Sequence, residues 1–543
     1  MRRVKVKKYQ VIILLIGVVL TTYSFKSKFF EVAKQLEIYT TLYKELNMYY
    51  VNEINPAEFT DKAIKNTLKD LDPYTNYYDE QEVEEARIRR EGEYAGIGVS
   101  VYYDEKGITL AEIYKGYEAD KKGLKAGDII TKVDGQPIQN MESDELSQFL
   151  KGAPNSSVNI EVDRQGKLMN LTVVREKVVV NPVPYYDMID NETGYIVLTR
   201  FNEKASSEVK KAFKALKDKG MKKLVFDLRS NPGGSLLEAI NISNFFLPKG
   251  STIVSTKAKV KKWSNTYRAT NKPLDLEIPV AVLVNDRSAS ASEIVSGALQ
   301  DFDRAVVLGE RSFGKGLVQR YRQLTYGTQL KVTISKYYTP SGRCIQELDY
   351  ANRDENGKVP KFSDGTVTAY KTKNGRTVYD GGGVQPDIVV GFSERTEATK
   401  ELIKTRAIFN FVTDFTIKNP TISAAPDFTF NQFNKFQDYI LTTDTSFKTV
   451  QEKMFLKAYE SLESEQLLSK EYQQIKKKLN KNKVEEISKN RDYISNLIQN
   501  EILSRYYFKE GSYQNKLKKD KVVLKAVDVL KDTKQYSKIL SGA

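Results

Sequence analysis

Between Asn181 and Val390 the chain alternates short apolar runs with longer amphipathic ones, and this alternation limits the fold more than any other feature. TGYIVLTRF, KKLVFDLRS, PVAVLVND and RAVVLGE read as strands with apolar centres. SSEVKKAFKALKDKG, SLLEAINISNFFL and SASASEIVSGALQDF place apolar residues three and four apart, as amphipathic helices do. Strand followed by helix, repeated, predicts an α/β core with parallel pairing. LVQRYRQL and TQLKVTISKYYTP add an antiparallel pair at one side.

At 543 residues the chain is too long for a single core. Residues 26–90 read as a helical lead-in and 91–177 as short strands and turns. Residues 178–392 hold the α/β alternation, and 393–543 return to helices whose faces interleave Lys with Glu. The formal charge of +15 raises nucleic acid as a partner, but the lysines are scattered among acids as on a solvated helical surface. No nucleic-acid module is recognisable, so no nucleic acid is expected.

Two counts exclude more. The chain has no histidine and one cysteine, Cys344. Ser-His-Asp and Cys-His hydrolysis, imidazole metal sites and intrachain disulfides are therefore excluded. No metal and no cofactor is expected, and a hydrolase built from these residues must use a carboxylate or a lysine as its base.

The amino end joins the basic MRRVKVKK to the apolar VIILLIGVVLTTYSF. Residues 1–25 thus read as an export signal or a retained membrane anchor, shorter than the roughly 20 apolar residues of a comfortable span. Either reading takes the body out of the cytoplasm.

GERSFGKG, Gly309 to Gly316, imitates a phosphate loop but lacks the following Ser or Thr and leads into a strand instead of a helix. ATP binding is not expected, and Lys315 is left in a glycine-flanked turn. One strand earlier, Ser290 falls between an apolar strand and a helix, where Ser290-x-x-Glu293 also fits a capping box. A serine at that sheet edge meets the positive end of a helix dipole, and Lys315 starts from the same edge. Ser288 and Ser292 compete with it as nucleophiles.

Residues 91–177 resemble a PDZ domain of bacterial proteases through GIGV (Gly96–Val99), KAGDII (Lys125–Ile130) and VDGQPI (Val133–Ile138). Amides of Ala95, Gly96, Ile97 and Gly98 would converge on a peptide carboxylate, and the strand behind them would pair with the tail. NDRSASASEIVSGALQD, VVLGERSFGKGLVQ, FDLRSNPGGSLLEA, KYYTPSGRCIQ and GGGVQPDI resemble the carboxyl-terminal processing proteases, the tail-specific peptidases of family S41. The likeness spans roughly residues 30 to 390.

The resemblance implies an exported serine endopeptidase that cleaves near the C-terminal tails of envelope proteins. Carried over, it assigns Ser290 as nucleophile, Lys315 as base and Gln319 as orienting amide. The oxyanion would meet the Ala291 amide and one from Gly233 or Gly234. Asp227 and Arg229 read as a structural pair. The expected partners are proteins or peptides with free C-terminal tails, and the location is the periplasmic side of a bacterial envelope. Adaptor delivery, membrane attachment, homo-oligomerisation and PDZ gating of the site stay open. The competing reading is an inactive PDZ adaptor on a protease scaffold. One departure from the family falls outside the catalytic set: Tyr74 stands in LDPYTNYYD where relatives often carry His.

Overall fold

The computed structural model describes residues 8–542 apart from 142–144, 147–148, 356, 363–366, 392–393, 444–446 and 464–468. Side chains of residues 8–28 and 461–469 are also outside the description, and with them most of the expected 1–25 signal or anchor. Among the described residues, no helix is long and apolar enough to cross a membrane.

The chain divides into two compact units, Met1–Tyr77 and Tyr78–Ala543. The first holds α1 (Lys8–Tyr49) and α2 (Pro56–Lys69). Asn55 caps α2, its side-chain oxygen accepting from the Ala57 and Glu58 amides, and Pro56 takes the first helical position, where its missing N–H costs nothing.

The second unit opens with α3 (Glu80–Glu91), closed at its start by a reciprocal capping box between Asp79 and Glu82. A ribbon of β1 (Glu93–Gly96) and β7 (Glu176–Val179) brackets a six-stranded antiparallel sheet, in which the two-residue strand Gln136–Pro137 pairs beside Lys132 and Val133 and five longer strands form the main order. Its strands β2 (Val99–Asp104), β3 (Gly107–Ile113), β4 (Ile129–Val133), β5 (Ser157–Arg164) and β6 (Lys167–Val174) lie in that order. Ile97, Ile108, Leu110, Ile130, Leu146, Val158 and Ile160 fill its core. The stretch MESDELSQFLKG, residues 141–152, which reads as a helix in the sequence, lies partly outside the described residues.

The central domain runs β8 (Tyr185–Met188), β9 (Thr193–Val197), α4 (Ala205–Asp218), β10 (Lys223–Asp227) and α5 (Leu236–Asn244). It continues through β11 (Thr252–Ala258), β12 (Thr266–Arg268), β13 (Val280–Val284), α6 (Ala291–Asp301) and β14 (Val306–Gly309). Then follow β15 (Leu317–Gln323), β16 (Gln329–Tyr338) and the short β17 (Ile388–Val389). The main sheet is ordered β8-β9-β10-β13-β14-β17, parallel throughout except for β8. β15 and β16 form the expected antiparallel pair, in a separate sheet with β11 and β12.

The strands are apolar on both faces because both are covered. Ile196, Leu224, Phe226, Val282 and Val307 point toward α4, α5 and α6. Their alternates Tyr195, Val197, Val225, Leu283, Val306 and Leu308 pack under Val523, Ala526, Val527 and Leu530 of α13 (Lys521–Lys531). The second layer of the α/β core therefore comes from the carboxyl end of the chain.

Between these lie the helices α7 (Glu397–Ile403), α8 (Ala407–Lys418), α9 (Phe433–Thr442), α10 (Val450–Glu463), α11 (Ser469–Lys489) and α12 (Arg491–Lys519), and α14 (Thr533–Ser541) ends the chain. They enclose their own core of Phe411, Phe415, Phe430, Phe436, Ile494, Ile498 and Ile502. Ion pairs Lys509–Glu112, Glu510–Lys115 and Arg406–Asp104 join these helices to the PDZ-like sheet at 2.7, 2.7 and 2.5 Å.

Candidate active site

Parallel strands deliver their successive loops to one edge of the sheet, and three of those loops meet here. β10 leads into the Arg229–Gly234 turn, β13 into the loop before α6, and β14 into the Lys315 turn. Ser290, at the N-cap of α6, holds φ at +56°. For a residue with a Cβ this left-handed conformation is strained, so the surroundings must hold it.

Glu293 does much of that holding. Its side chain is fully buried, and it joins the two turns. One carboxylate oxygen accepts the Ser290 amide at 2.7 Å and the Lys315 amide at 2.9 Å. The other accepts the Ser312 hydroxyl and the Gly314 amide, each at 2.6 Å. Burial drives the Glu293 pKa up to about 6, against the pull of those four donors. The capping box seen in the sequence is thus also the link between the serine turn and the lysine turn.

The competing serines are engaged elsewhere. Ser288, fully buried, donates its hydroxyl to Leu228 O at 2.8 Å, and Ser292, equally buried, donates to Asn231 O at 2.9 Å. Ser290 alone of the three lines an open cleft of about 480 Å³. Lys315 and Gln319 line the same cleft, as do Ala291, Gly233 and Gly234. A register shift between Val318 and Gln319 interrupts the pairing of β15 with β16 at this point, and the Gln319 amide nitrogen donates to Thr333 Oγ1 at 3.2 Å.

The glycine turn approaches the serine closely. A Cβ on Gly233, whose φ is +94°, would fall 2.8 Å from Ala291 N and 2.9 Å from Ser290 Cβ, so no larger residue fits. The Gly233 amide donates to Asn231 Oδ1 at 2.9 Å. The Gly234 and Ala291 amides donate to no group among the described residues. Two unengaged N–H groups thus border the cleft beside Ser290, and Gly234, not Gly233, supplies the second.

Asp227 and Arg229 are the expected pair, with Nη2 to Oδ2 at 2.6 Å, and Tyr195 donates its hydroxyl to the same carboxylate at 2.7 Å. Asp520, at the N-cap of α13, also holds Arg229. The sequence marks Glu293 only as a helix cap and does not single out Asp520.

The expected carboxylate loop lies outside this cleft. Ala95 and Gly96 end β1, paired with Lys177 and Glu176 of β7. Ile97 is buried, and Gly98 turns at φ +82° where a Cβ would strike Tyr117. The Ile97 and Gly98 amides donate to no described group, while their carbonyls accept from Ala119 and Tyr114. No cluster of potential metal ligands occurs among the described residues.

A serine hydroxyl at a helix start, a lysine in the facing turn and open amides beside them have the chemistry of a serine-type peptidase. Comparison with known proteins agrees. Peptidase family S41 matches residues 192–351, the PDZ domain 85–163, and the helical C-terminal domain of probable PDZ-proteases 398–530. A probable CtpA-like serine protease of Staphylococcus aureus is 34% identical over 360 residues, covering 63% of this chain and 72% of that one. A carboxy-terminal-processing protease of Bartonella bacilliformis is 35% identical over 321 residues, covering 58% and 73%. Among solved structures, a photosystem II D1 C-terminal processing protease is 28% identical, covers 64% of this chain and 85% of its own, and has a TM-score of 0.37. The chain belongs to the carboxy-terminal-processing proteases of peptidase family S41.

Proposed function

We propose that this protein is an exported endopeptidase that cuts near the C-terminal tails of envelope proteins through a Ser290–Lys315 dyad. The observation that carries the reading is Glu293: one buried carboxylate oxygen accepts the amides of both residues, in a cleft that both line. The basic and apolar stretch at residues 1–25 supports export.

The neutral amine of Lys315 takes the hydroxyl proton as Ser290 Oγ attacks the peptide carbonyl. Charge moves to the carbonyl oxygen, toward the unengaged amides of Ala291 and Gly234 and the N-terminus of α6. The intermediate collapses, the C–N bond breaks, and the Lys315 ammonium returns the proton to the leaving amine. Lys315 then takes a proton from water, whose hydroxide attacks the ester; the ester C–O bond breaks, the Lys315 ammonium returns the proton to Ser290 Oγ, and a new carboxyl terminus leaves. Gln319, on β15 just past the lysine turn and lining the same cleft, orients the lysine. The amides of Ile97 and Gly98 hold the tail's carboxylate, and the free edge of β2 pairs with its backbone.

The test is intact-mass spectrometry of a folded protein carrying an unstructured apolar tail, incubated with wild type, Ser290→Ala or Lys315→Ala. The wild type shortens the tail, and both variants bind it without cutting. Cleavage by either variant at the wild-type rate contradicts the dyad. Binding without cleavage by the wild type itself favours the inactive adaptor.

A further inference from the structure

The cleft around Ser290 is lopsided in charge. Arg89, Arg90, Arg200, Lys315 and Lys331 line it, against the single carboxylate of Glu203 among the described lining residues. Glu203 is already engaged, because its carboxylate pairs with Arg90 at 3.4 Å and its amide donates to Arg90 O, at the end of α3, at 3.0 Å. Among the described residues Arg89 pairs only with Glu85, at 3.4 Å and largely open to water, where such a pair is worth little.

Arg200 has less. It lies three residues beyond the end of β9 and precedes Phe201, whose amide donates to Gly233 O at 3.0 Å and whose carbonyl accepts the Ser235 amide. The backbone therefore fixes Arg200 beside the glycine turn that faces Ser290. Its side chain is exposed in the cleft and makes no hydrogen bond or ion pair with any described residue. Partial shielding from water, and next the like charge of Arg89, lower its pKa. Two like charges lining one cleft, one of them paired only weakly, repel each other, and an anion bound by both relieves the repulsion. A guanidinium fork matches a carboxylate in shape.

We propose that Arg200 and Arg89 form an anion subsite within the cleft, which takes a carboxylate of the bound peptide and makes the enzyme select tails that carry one close to the scissile bond. This rests on Ser290 being the nucleophile of the same cleft. The carboxylate has two sources, an Asp or Glu side chain of the substrate or the α-carboxylate that ends its tail.

Internally quenched peptides of one neutral sequence separate them. In one arm Glu replaces Gln at each of the three positions on either side of the cut, and in the other the peptide ends as a free acid or as an amide. The wild type cleaves the charged member of at least one pair with kcat/KM about tenfold above its neutral partner, the factor of one charge-assisted contact. The favoured arm names the source. The preference falls as salt is added. It shrinks to within about twofold in Arg200→Gln and, independently, in Arg89→Gln.

Equal cleavage of charged and neutral peptides by the wild type overturns the subsite and leaves the peptidase intact. A preference that survives in both variants overturns it too. Failure to cleave any peptide overturns the reading of the cleft, and the subsite falls with it.

Discussion

Arg229 Nη1 donates to both carboxylate oxygens of Asp520, at 3.0 and 2.9 Å, across 291 positions of sequence. The pair ties the strand end that feeds the Asn231–Gly234 turn to the helix that covers the opposite face of the sheet. Ser230, next in the chain, sits at φ +59°, so the turn is strained just where it is anchored.

Asp520→Asn isolates that tie. Asparagine caps a helix as well as aspartate does, so α13 keeps its start. What is lost is the charge that holds Arg229. Steady-state kinetics should show kcat lower by about tenfold with KM little changed, the signature of a contact that matters in the transition state. An unchanged kcat would mean that Asp227 positions Arg229 unaided.

Glu293 gives the protein a pH dependence of definite sign. Burial pushes its carboxyl up to about 6 in the folded chain, above the 4.5 of an exposed glutamate. The folded state therefore holds the proton more tightly than the unfolded one. The stabilisation is fully present below pH 4.5 and is lost as pH rises through 6, a change of about 2 kcal/mol. Denaturant unfolding of wild type and Glu293→Gln from pH 4 to 7 should show the wild type losing about that much relative to the variant. A difference that does not vary with pH would contradict the assignment.

Helix α13 is a layer of the core. Leu530 is 1% exposed against Tyr195, Leu283 and their neighbours. Leu530→Ala should cost about 2–5 kcal/mol, read as a fall in the urea midpoint of the central domain. An unaltered midpoint would mean that the sheet does not depend on this cover.

Much of this was legible in the chain. The strand and helix periods differ, so the α/β alternation, the antiparallel pair and the β-rich PDZ domain can be read directly. The turns holding Ser290 and Lys315 stand out because serine and glycine interrupt apolar runs there. Other features were not legible for physical reasons. Val523, Ala526, Val527 and Leu530 make an ordinary amphipathic stripe, which does not say which surface it covers. Ser288, Ser290 and Ser292 alternate in sequence, and only burial and backbone angle tell them apart. Glu293 reads as a cap because it is one, and its second role needs the lysine turn brought across in space. The run Thr449–Arg505 reads as one helical stretch, yet α11 stops at Lys489 and α12 begins at Arg491. Between them the Asn490 side chain donates to Glu394 O at 3.1 Å, a contact that no local pattern announces.

The central claim is that Ser290 is the nucleophile and Lys315 its base. Peptide mapping by mass spectrometry after treatment with a fluorophosphonate tests it most directly, because the reagent marks only an activated serine. One adduct on the peptide containing Ser290, absent from both Ser290→Ala and Lys315→Ala, is the predicted result. An adduct that moves to Ser288 or Ser292, or that persists undiminished without Lys315, would contradict it.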